Sequence, residues 1–352
     1  MKNAKSKIYP PTVVALDVTY NCNLRCLHCF NSSGETNRVN RKELSDEELL
    51  NVADSIIELK PRAVCLCGGE PILRGKIIYD LIEKITKGTN NETEVNMVTN
   101  GQAITREVAK KLKKSGLYNI QVSLDGPDAE CCDWIRNKQG AFDKAIQAIK
   151  FLVEEDLHVG VSCCPTKKNY KKFGQTIELA ISLGVKTFRV QPLMNLGRAK
   201  QYLSEYTLNF IEYKTVVDAL EKNRRKYTNI SIDWGDPINH LVVIASESDL
   251  FEPTLVINAY GDLSLSPYIP ISFGNVRKNK ASDYWKKGLY SAYRAKFYKE
   301  VCGKITTANN MDLSAIIDGV PQNYIEKTIE IDIIDNPQFD KLSFEDLMKS
   351  YS

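Results

Sequence analysis

Between about residues 12 and 192 the chain alternates short apolar runs with amphipathic stretches, six times over. Thr12–Val18, Ala63–Leu66, Val95–Val98, Asn119–Leu124, His158–Cys163 and Thr187–Gln191 have the length and residue types of buried strands. Helices are expected between them over 45–59, Lys76–Thr86, Thr105–Lys114, Phe142–Glu155 and Tyr170–Leu183. Ser45 and Glu48 form a capping box that opens the first, and Gly116 and Gly184 stop the third and fifth. Strict alternation of this kind predicts parallel strands joined by right-handed crossovers. The fold class is therefore α/β, with six units that could form an open sheet or an incomplete barrel.

After Arg198 the pattern changes. Leu208–Lys226 reads as a long helix, and Thr254–Asn258 with Asp262–Ser266 as a hairpin around Gly261. The rest is aromatic-rich and less regular. This predicts an N-terminal extension (1–11), a core domain (12–229) and a smaller α+β domain (230–352).

Hydrophobic residues make up 43% and charged residues 26%, which excludes a disordered or fibrous chain. No run of 18 apolar residues occurs, so no membrane span is expected. The first residues lack the apolar region of a secretory signal. Ten cysteines without such a signal fit a reducing cytoplasm, where they serve as metal ligands or core residues. The expected location is cytoplasmic. Val276–Glu300 carries eight basic residues, two acidic and six aromatic, and Glu326–Asp346 carries seven acidic and two basic. A basic, aromatic segment can contact nucleic acid. The reading preferred here is that the two segments partly neutralise each other or face solvent, so no nucleic-acid partner is expected.

Cys22, Cys26 and Cys29 follow the first strand with the spacing C-x3-C-x2-C. Three thiolates so placed can hold three irons of a cubane and leave the fourth open for chemistry. A zinc site or a disulfide pair is the alternative. Structural zinc usually takes four ligands, and His28, between two of the cysteines, is the fourth candidate nearby. Ligands of parallel α/β folds sit at the carboxyl ends of strands, and three further motifs fall there. Gly68-Gly69-Glu70-Pro71 follows strand two, Thr99-Asn100-Gly101 strand three, and Ser123-Leu124-Asp125-Gly126 strand four. Two glycines allow close backbone approach, and open carbonyls with Glu70 could accept bonds from an ammonium group. Each motif alone is equally an ordinary turn. Arg136, placed in a long loop after strand four, could pair with a carboxylate or lie at the surface.

Together, in this order, these motifs resemble the radical S-adenosylmethionine (SAM) enzymes over roughly residues 12–198. Arg136 and the following 140–146 resemble the subgroup that modifies peptides and proteins. The resemblance implies a partial (β/α)6 barrel of the TIM type. It implies one [4Fe–4S] cluster on Cys22, Cys26 and Cys29, with SAM on the open iron. Gly68, Gly69 and Glu70, with Pro71 closing the motif, would contact the SAM amino group. Ser123 and Arg136 would approach its carboxylate, Asn100 and Asp125 its ribose or sulfonium, and His28 and Phe30 its adenine. The implied chemistry is reductive cleavage of SAM to a 5′-deoxyadenosyl radical, which takes hydrogen from substrate. A flavodoxin- or ferredoxin-like electron donor is implied as well.

The resemblance extends to a C-terminal hairpin of the SPASM or twitch type, but position 266 is serine where such domains carry a cluster cysteine. Only Cys302 follows it. A cap without an auxiliary cluster is therefore expected. Cys65, Cys67, Cys131, Cys132, Cys163 and Cys164 are read as small core residues. Without a second cluster to accept an electron, chemistry that returns hydrogen to the substrate is favoured, and Cys163, Cys164 or Cys302 could donate it. The expected substrate is a peptide or protein, as in maturation of a ribosomally made peptide. The roughly 12 residues before strand one leave no room for a leader-binding domain, so a peptide substrate would need a separate carrier, or the cap domain, to hold it. The alternatives are a step on a tetrapyrrole or other cofactor precursor, and a non-catalytic SAM- or cluster-binding protein.

Overall fold

The six apolar runs form six strands in the computed structural model, which describes residues 8–35, 40–246, 252–321 and 327–351. Residues 1–7 of the expected N-terminal extension and Glu326 of the acidic segment lie outside the described residues. The first half runs β1 (Val13–Thr19), α1 (Asp46–Leu59), β2 (Ala63–Gly68), α2 (Lys76–Gly88), β3 (Glu94–Thr99) and α3 (Arg106–Ser115). It continues β4 (Asn119–Ser123), α4 (Ala129–Arg136), α5 (Ala141–Glu154), β5 (His158–Cys163), α6 (Phe173–Ser182) and β6 (Thr187–Val190). Local chemistry sets several ends. Ser45 and Glu48 make both bonds of the capping box at α1. Gly116, at φ 92°, ends α3 in the left-handed region, where a glycine carries no Cβ penalty.

One helix departs from expectation. The segment after β4, read as a long loop, contains α4, with Asp128 as its N-cap accepting from the Cys131 amide. Arg136 is the last residue of that helix rather than a loop residue. Eight residues are too few for a periodic signal.

Past β6 come α7 (Gly197–Tyr202), α8 (Phe210–Lys226), β7 (Ser231–Trp234), α9 (Asn239–Ala245), β8 (Thr254–Ile257) and β9 (Leu263–Ser264). The sheet order is β7-β6-β5-β4-β3-β2-β1-β8-β9. All neighbours are parallel except β8 and β9, which form the expected hairpin. The sheet thus continues past residue 229: β7 extends it beyond β6, and β8 lies beside β1 in the register Val13↔Thr254. Inward-facing residues of β1 to β5 and of β8 line one cavity, so the sheet curls around it, with β7 and β9 as its two edges.

The C-terminal part adds β10 (Ile271–Ser272), α10 (Ala281–Lys286), α11 (Lys296–Gly303), β11 (Ile329–Glu330) and α12 (Phe344–Tyr351). Tyr284, Trp285, Phe297 and Tyr298 of the basic segment are fully buried, so they cannot stack on bases. Lys278 pairs with Asp332 of the acidic segment, whereas Arg277 pairs with Glu48 and Lys280 with Glu58, both on α1. The segment's charges mainly fasten the C-terminal part to the core.

Candidate functional site

Beyond β1, the chain turns through the loop that carries the cysteine triad. All three cysteines are free; Cys26 is buried, while Cys22 and Cys29 are partly exposed. They line a cavity of about 410 Å³ at the carboxyl ends of the strands. The loop is anchored on both sides. The Tyr20 amide donates to Glu43 at 2.7 Å, and the Tyr20 hydroxyl to Asp17 at 2.9 Å. Arg198, just past β6, donates from Nε to the Cys26 carbonyl at 2.9 Å and from its amide to the Cys29 carbonyl at 3.0 Å.

Two triad sulfurs have N–H donors beside them. Asn100 Nδ2 is 3.7 Å from Cys22 Sγ, and Arg136 Nη1 is 3.8 Å from Cys26 Sγ. Burial pushes the Cys26 thiol up to about 11, against the pull of Arg136. Such a thiol ionises when a metal displaces its proton. Among the described residues no three His, Cys, Asp or Glu side chains stand at the spacing of one metal ion. A cubane asks for something else, since each thiolate binds a different iron. Three thiols on one loop, with N–H donors toward the sulfurs, fit that group. The wall expected to meet SAM also has a fitting feature. Burial pushes the His28 ring, in the cavity wall, down to about 4, and its buried Nδ1 has no hydrogen-bond partner.

Gly68 and Gly69 are required by the triad loop itself. A Cβ on Gly68 would lie 2.1 Å from the Thr19 carbonyl oxygen, and one on Gly69 2.1 Å from that of Asn21. The Gly69 amide donates to Thr19 and the Glu70 amide to Asn21, at 2.6 and 2.9 Å. Both glycines still line the cavity.

Glu70 does not. Its carboxylate is fully buried, accepting from the Thr99 hydroxyl at 2.8 Å and the Asn100 amide at 2.7 Å. It braces the loop after β2 against the loop after β3. Pro71, buried at the start of the helical turn Pro71–Arg74, is likewise outside the cavity wall.

The other expected residues, Phe30, Asn100, Ser123, Asp125 and Arg136, come together on that wall. Their polar groups are already partly engaged. Asp125 accepts from Arg136 Nε at 2.6 Å and from the Cys164 amide at 2.9 Å. Asn100 Nδ2 donates to Asn23 at 2.8 Å. Cys163 and Cys164 reach the cavity, but Cys302 does not: it is fully buried in the core on α11. A cysteine on a short cap helix carries no sequence signal of where it points. Ser266 is fully buried and meets His240 Nε2 at 2.8 Å, while its oxygen accepts from the Tyr268 amide at 3.2 Å.

Sequence reasoning missed Arg198 and Tyr268. A Cβ on Gly197 would lie 2.3 Å from the Phe30 carbonyl oxygen, so the Gly197-Arg198 pair locks α7 against the triad loop. Its place just after β6 was a usable signal. Tyr268 meets Phe30 edge-on, with centroids 5.5 Å apart, and closes the cavity from the C-terminal part. Nothing local in the sequence marks it.

Residues 16–180 match the Radical SAM superfamily. An AdoMet-dependent heme synthase of Methanosarcina barkeri is 32% identical over 191 residues, 54% of this chain and 53% of that protein. The mycofactocin maturase MftC of Mycolicibacterium smegmatis is 34% identical over 189 residues, 53% of this chain and 46% of that protein. The chain thus spans about half the length of either relative. The structure of anSMEcpe with bound AdoMet and Cp18Cys peptide shares the fold, with a TM-score of 0.62 at 16% identity over 97% of this chain and 99% of that one. Residues 16–180 of this chain are thus a radical SAM domain.

Proposed function

We propose that this chain uses a [4Fe–4S] cluster and SAM to abstract hydrogen from a peptide or protein substrate, in peptide maturation. The observation that carries this is the convergence of Cys22, Cys26 and Cys29 with Gly68, Gly69, His28 and Asn100 on one cavity. The three cysteines would hold the cluster. His28, Phe30, Gly68, Gly69, Asn100 and Ser123 would surround SAM, with Asp125 acting by orienting Arg136. When bound, the pair supplies a 5′-deoxyadenosyl radical after one-electron reduction. The chain's own part is placement and shielding. Gly68 and Gly69 set the triad loop, Arg136 and Asn100 aim N–H groups at sulfur, and Phe30, Val256, Pro267 and Tyr268 keep water from the cavity.

A peptide substrate is supported by the similarity to a maturase, MftC. The region 230–352, proposed as a cap without an auxiliary cluster, supplies Tyr268 to the cavity, which supports a part for it in holding substrate. The similarity to a heme synthase favours a second reading, a step on an iron porphyrin. A flavodoxin- or ferredoxin-like donor, a cytoplasmic location and a separate peptide carrier complete the proposal.

Anaerobic reconstitution tests it. The expected result is about four irons per chain and 5′-deoxyadenosine on reduction with SAM. Binding of SAM without cleavage would leave only the non-catalytic reading. Stimulation of 5′-deoxyadenosine release by Fe-coproporphyrin, and not by a precursor-peptide library, would replace the peptide with the tetrapyrrole.

A further inference from the structure

β2 presents two different faces. Val64 and Leu66 are fully buried in the core. Cys65 and Cys67 point the other way and are partly exposed. Cys67 lines the same cavity as the triad. The other cysteines outside the triad, Cys131, Cys132, Cys163, Cys164 and Cys302, are buried, as packing cysteines are. The neighbours across the sheet differ from a packing bed as well. Ala15 and Asp17 lie opposite Cys65 and Cys67 on β1, and Asn96 lies opposite Cys65 on β3. The two sulfurs are in contact: Cys67 Sγ donates to Cys65 Sγ at 3.2 Å.

The geometry points to Cys65 and Cys67 as a hydrogen-donating dithiol of this site. Cys67 gives a hydrogen atom to a carbon radical formed in the cavity, and Cys65 then draws the resulting thiyl into a disulfide. This rests on the radical SAM reading above. In the first step the S–H bond of Cys67 breaks and a C–H bond forms. In the second, the two sulfurs join, the Cys65 proton leaves to water, and the surplus electron returns to the oxidised cluster. The dithiol has then lost two protons and two electrons. An external dithiol reductant of the thioredoxin class restores it by exchange.

Several features suit the assignment. An S–H bond is weaker than an alkyl C–H bond, so the transfer runs downhill. The hydrogen bond between the sulfurs raises the Cys67 thiol and lowers that of Cys65, so Cys67 keeps its hydrogen and Cys65 is the readier to ionise. With a hydrogen and an electron both supplied on β2, a reaction can invert a stereocentre without a second cluster.

Two measurements test it. In the iron-free protein, phenylarsine oxide should bridge the pair. After removal of excess reagent, denaturation, alkylation and trypsin, the peptide 63–74 holds these two cysteines and no other. It should carry one arsenical and no alkyl group; two alkyl groups there would overturn the dithiol. In the reconstituted protein, SAM is reduced in deuterated water with no substrate added. The 5′-deoxyadenosine should carry one deuterium, and the peptide 63–74 should lose two hydrogens in proportion. Cys67→Ala and Cys67→Ser should both abolish the deuterium. Cys65→Ala should keep it without a disulfide, and Cys163→Ala should change neither. Deuterium that survives in both Cys67 variants, or vanishes with Cys163→Ala, would sink the assignment. Absence of any 5′-deoxyadenosine from the unsubstituted protein would instead count against the radical SAM reading, and the arsenical result would still read the dithiol.

Discussion

Arg136 faces two ways at once: Nε and Nη2 hold Asp125 at 2.6 and 2.5 Å, and Nη1 lies 3.8 Å from Cys26 Sγ. Asp125 is 1% exposed, and Arg136 is the cation that offsets its burial. Removing the guanidinium leaves a buried carboxylate unpaired, which costs about 3–5 kcal/mol. Arg136→Met should lower urea stability by that order. Asp125→Asn added to it should recover a large part, because no charge then remains to strand. If the double variant is no more stable than Arg136→Met, the pair does not carry the stability assigned to it.

The glycines after β2 act on the triad loop, and this separates cluster loading from folding. Gly69→Ala places a Cβ 2.1 Å from the Asn21 carbonyl oxygen, next to Cys22 in the chain. Relief requires the loop to shift, at about 1–3 kcal/mol. The variant should fold, with unchanged helix content by circular dichroism, but take up clearly less iron on reconstitution. Iron uptake equal to that of the unsubstituted protein would show that the loop tolerates the shift.

What could be read from the sequence was what neighbouring residues decide. Ser45 and Glu48, Gly116, the strand cores and the triad spacing are local patterns, and the structure keeps them. What escaped depends on partners far along the chain. β8 joins β1 across some 240 residues of sequence, through backbone pairing that leaves no composition signal. Glu70 sits in a motif that reads as ligand-binding, yet Thr99 and Asn100 turn its carboxylate inward. Alternation puts Cys65 and Cys67 on one face of a strand. Only the curl of the sheet makes that face the cavity wall.

The burial of Glu70 gives the fold a pH dependence with a definite sign. Its pKa is raised by burial to about 7, although its three hydrogen bonds pull the other way. Below about 4.5 both the folded and unfolded chains hold the proton, and burial carries no ionisation penalty. As pH rises toward 7 the unfolded chain ionises first, so stability falls across that window and then levels. The window of roughly 2.5 units corresponds to about 3 kcal/mol. In the iron-free protein, urea stability should drop between about pH 5 and pH 7.5 by this much more than in Glu70→Gln. Equal slopes in the two proteins would mean that the carboxylate is not titrating there.

Position 266 gives the last test. The buried Ser266 hydroxyl joins His240 Nε2 to the Tyr268 amide, and Tyr268 closes the cavity against Phe30. Ser266→Ala leaves two half-buried polar groups without this partner, at no more than about 1–3 kcal/mol for each. It should therefore lower stability and weaken the closure by Tyr268, seen as more 5′-deoxyadenosine released without substrate. Ser266→Cys restores the residue type of cluster-bearing caps, but Cys302, the remaining cysteine of this region, is buried on α11 and faces the core. Iron per chain should therefore stay at the level of the unsubstituted protein. A rise by several irons in Ser266→Cys would mean that the cap can still assemble a second cluster, contrary to the single-cluster reading.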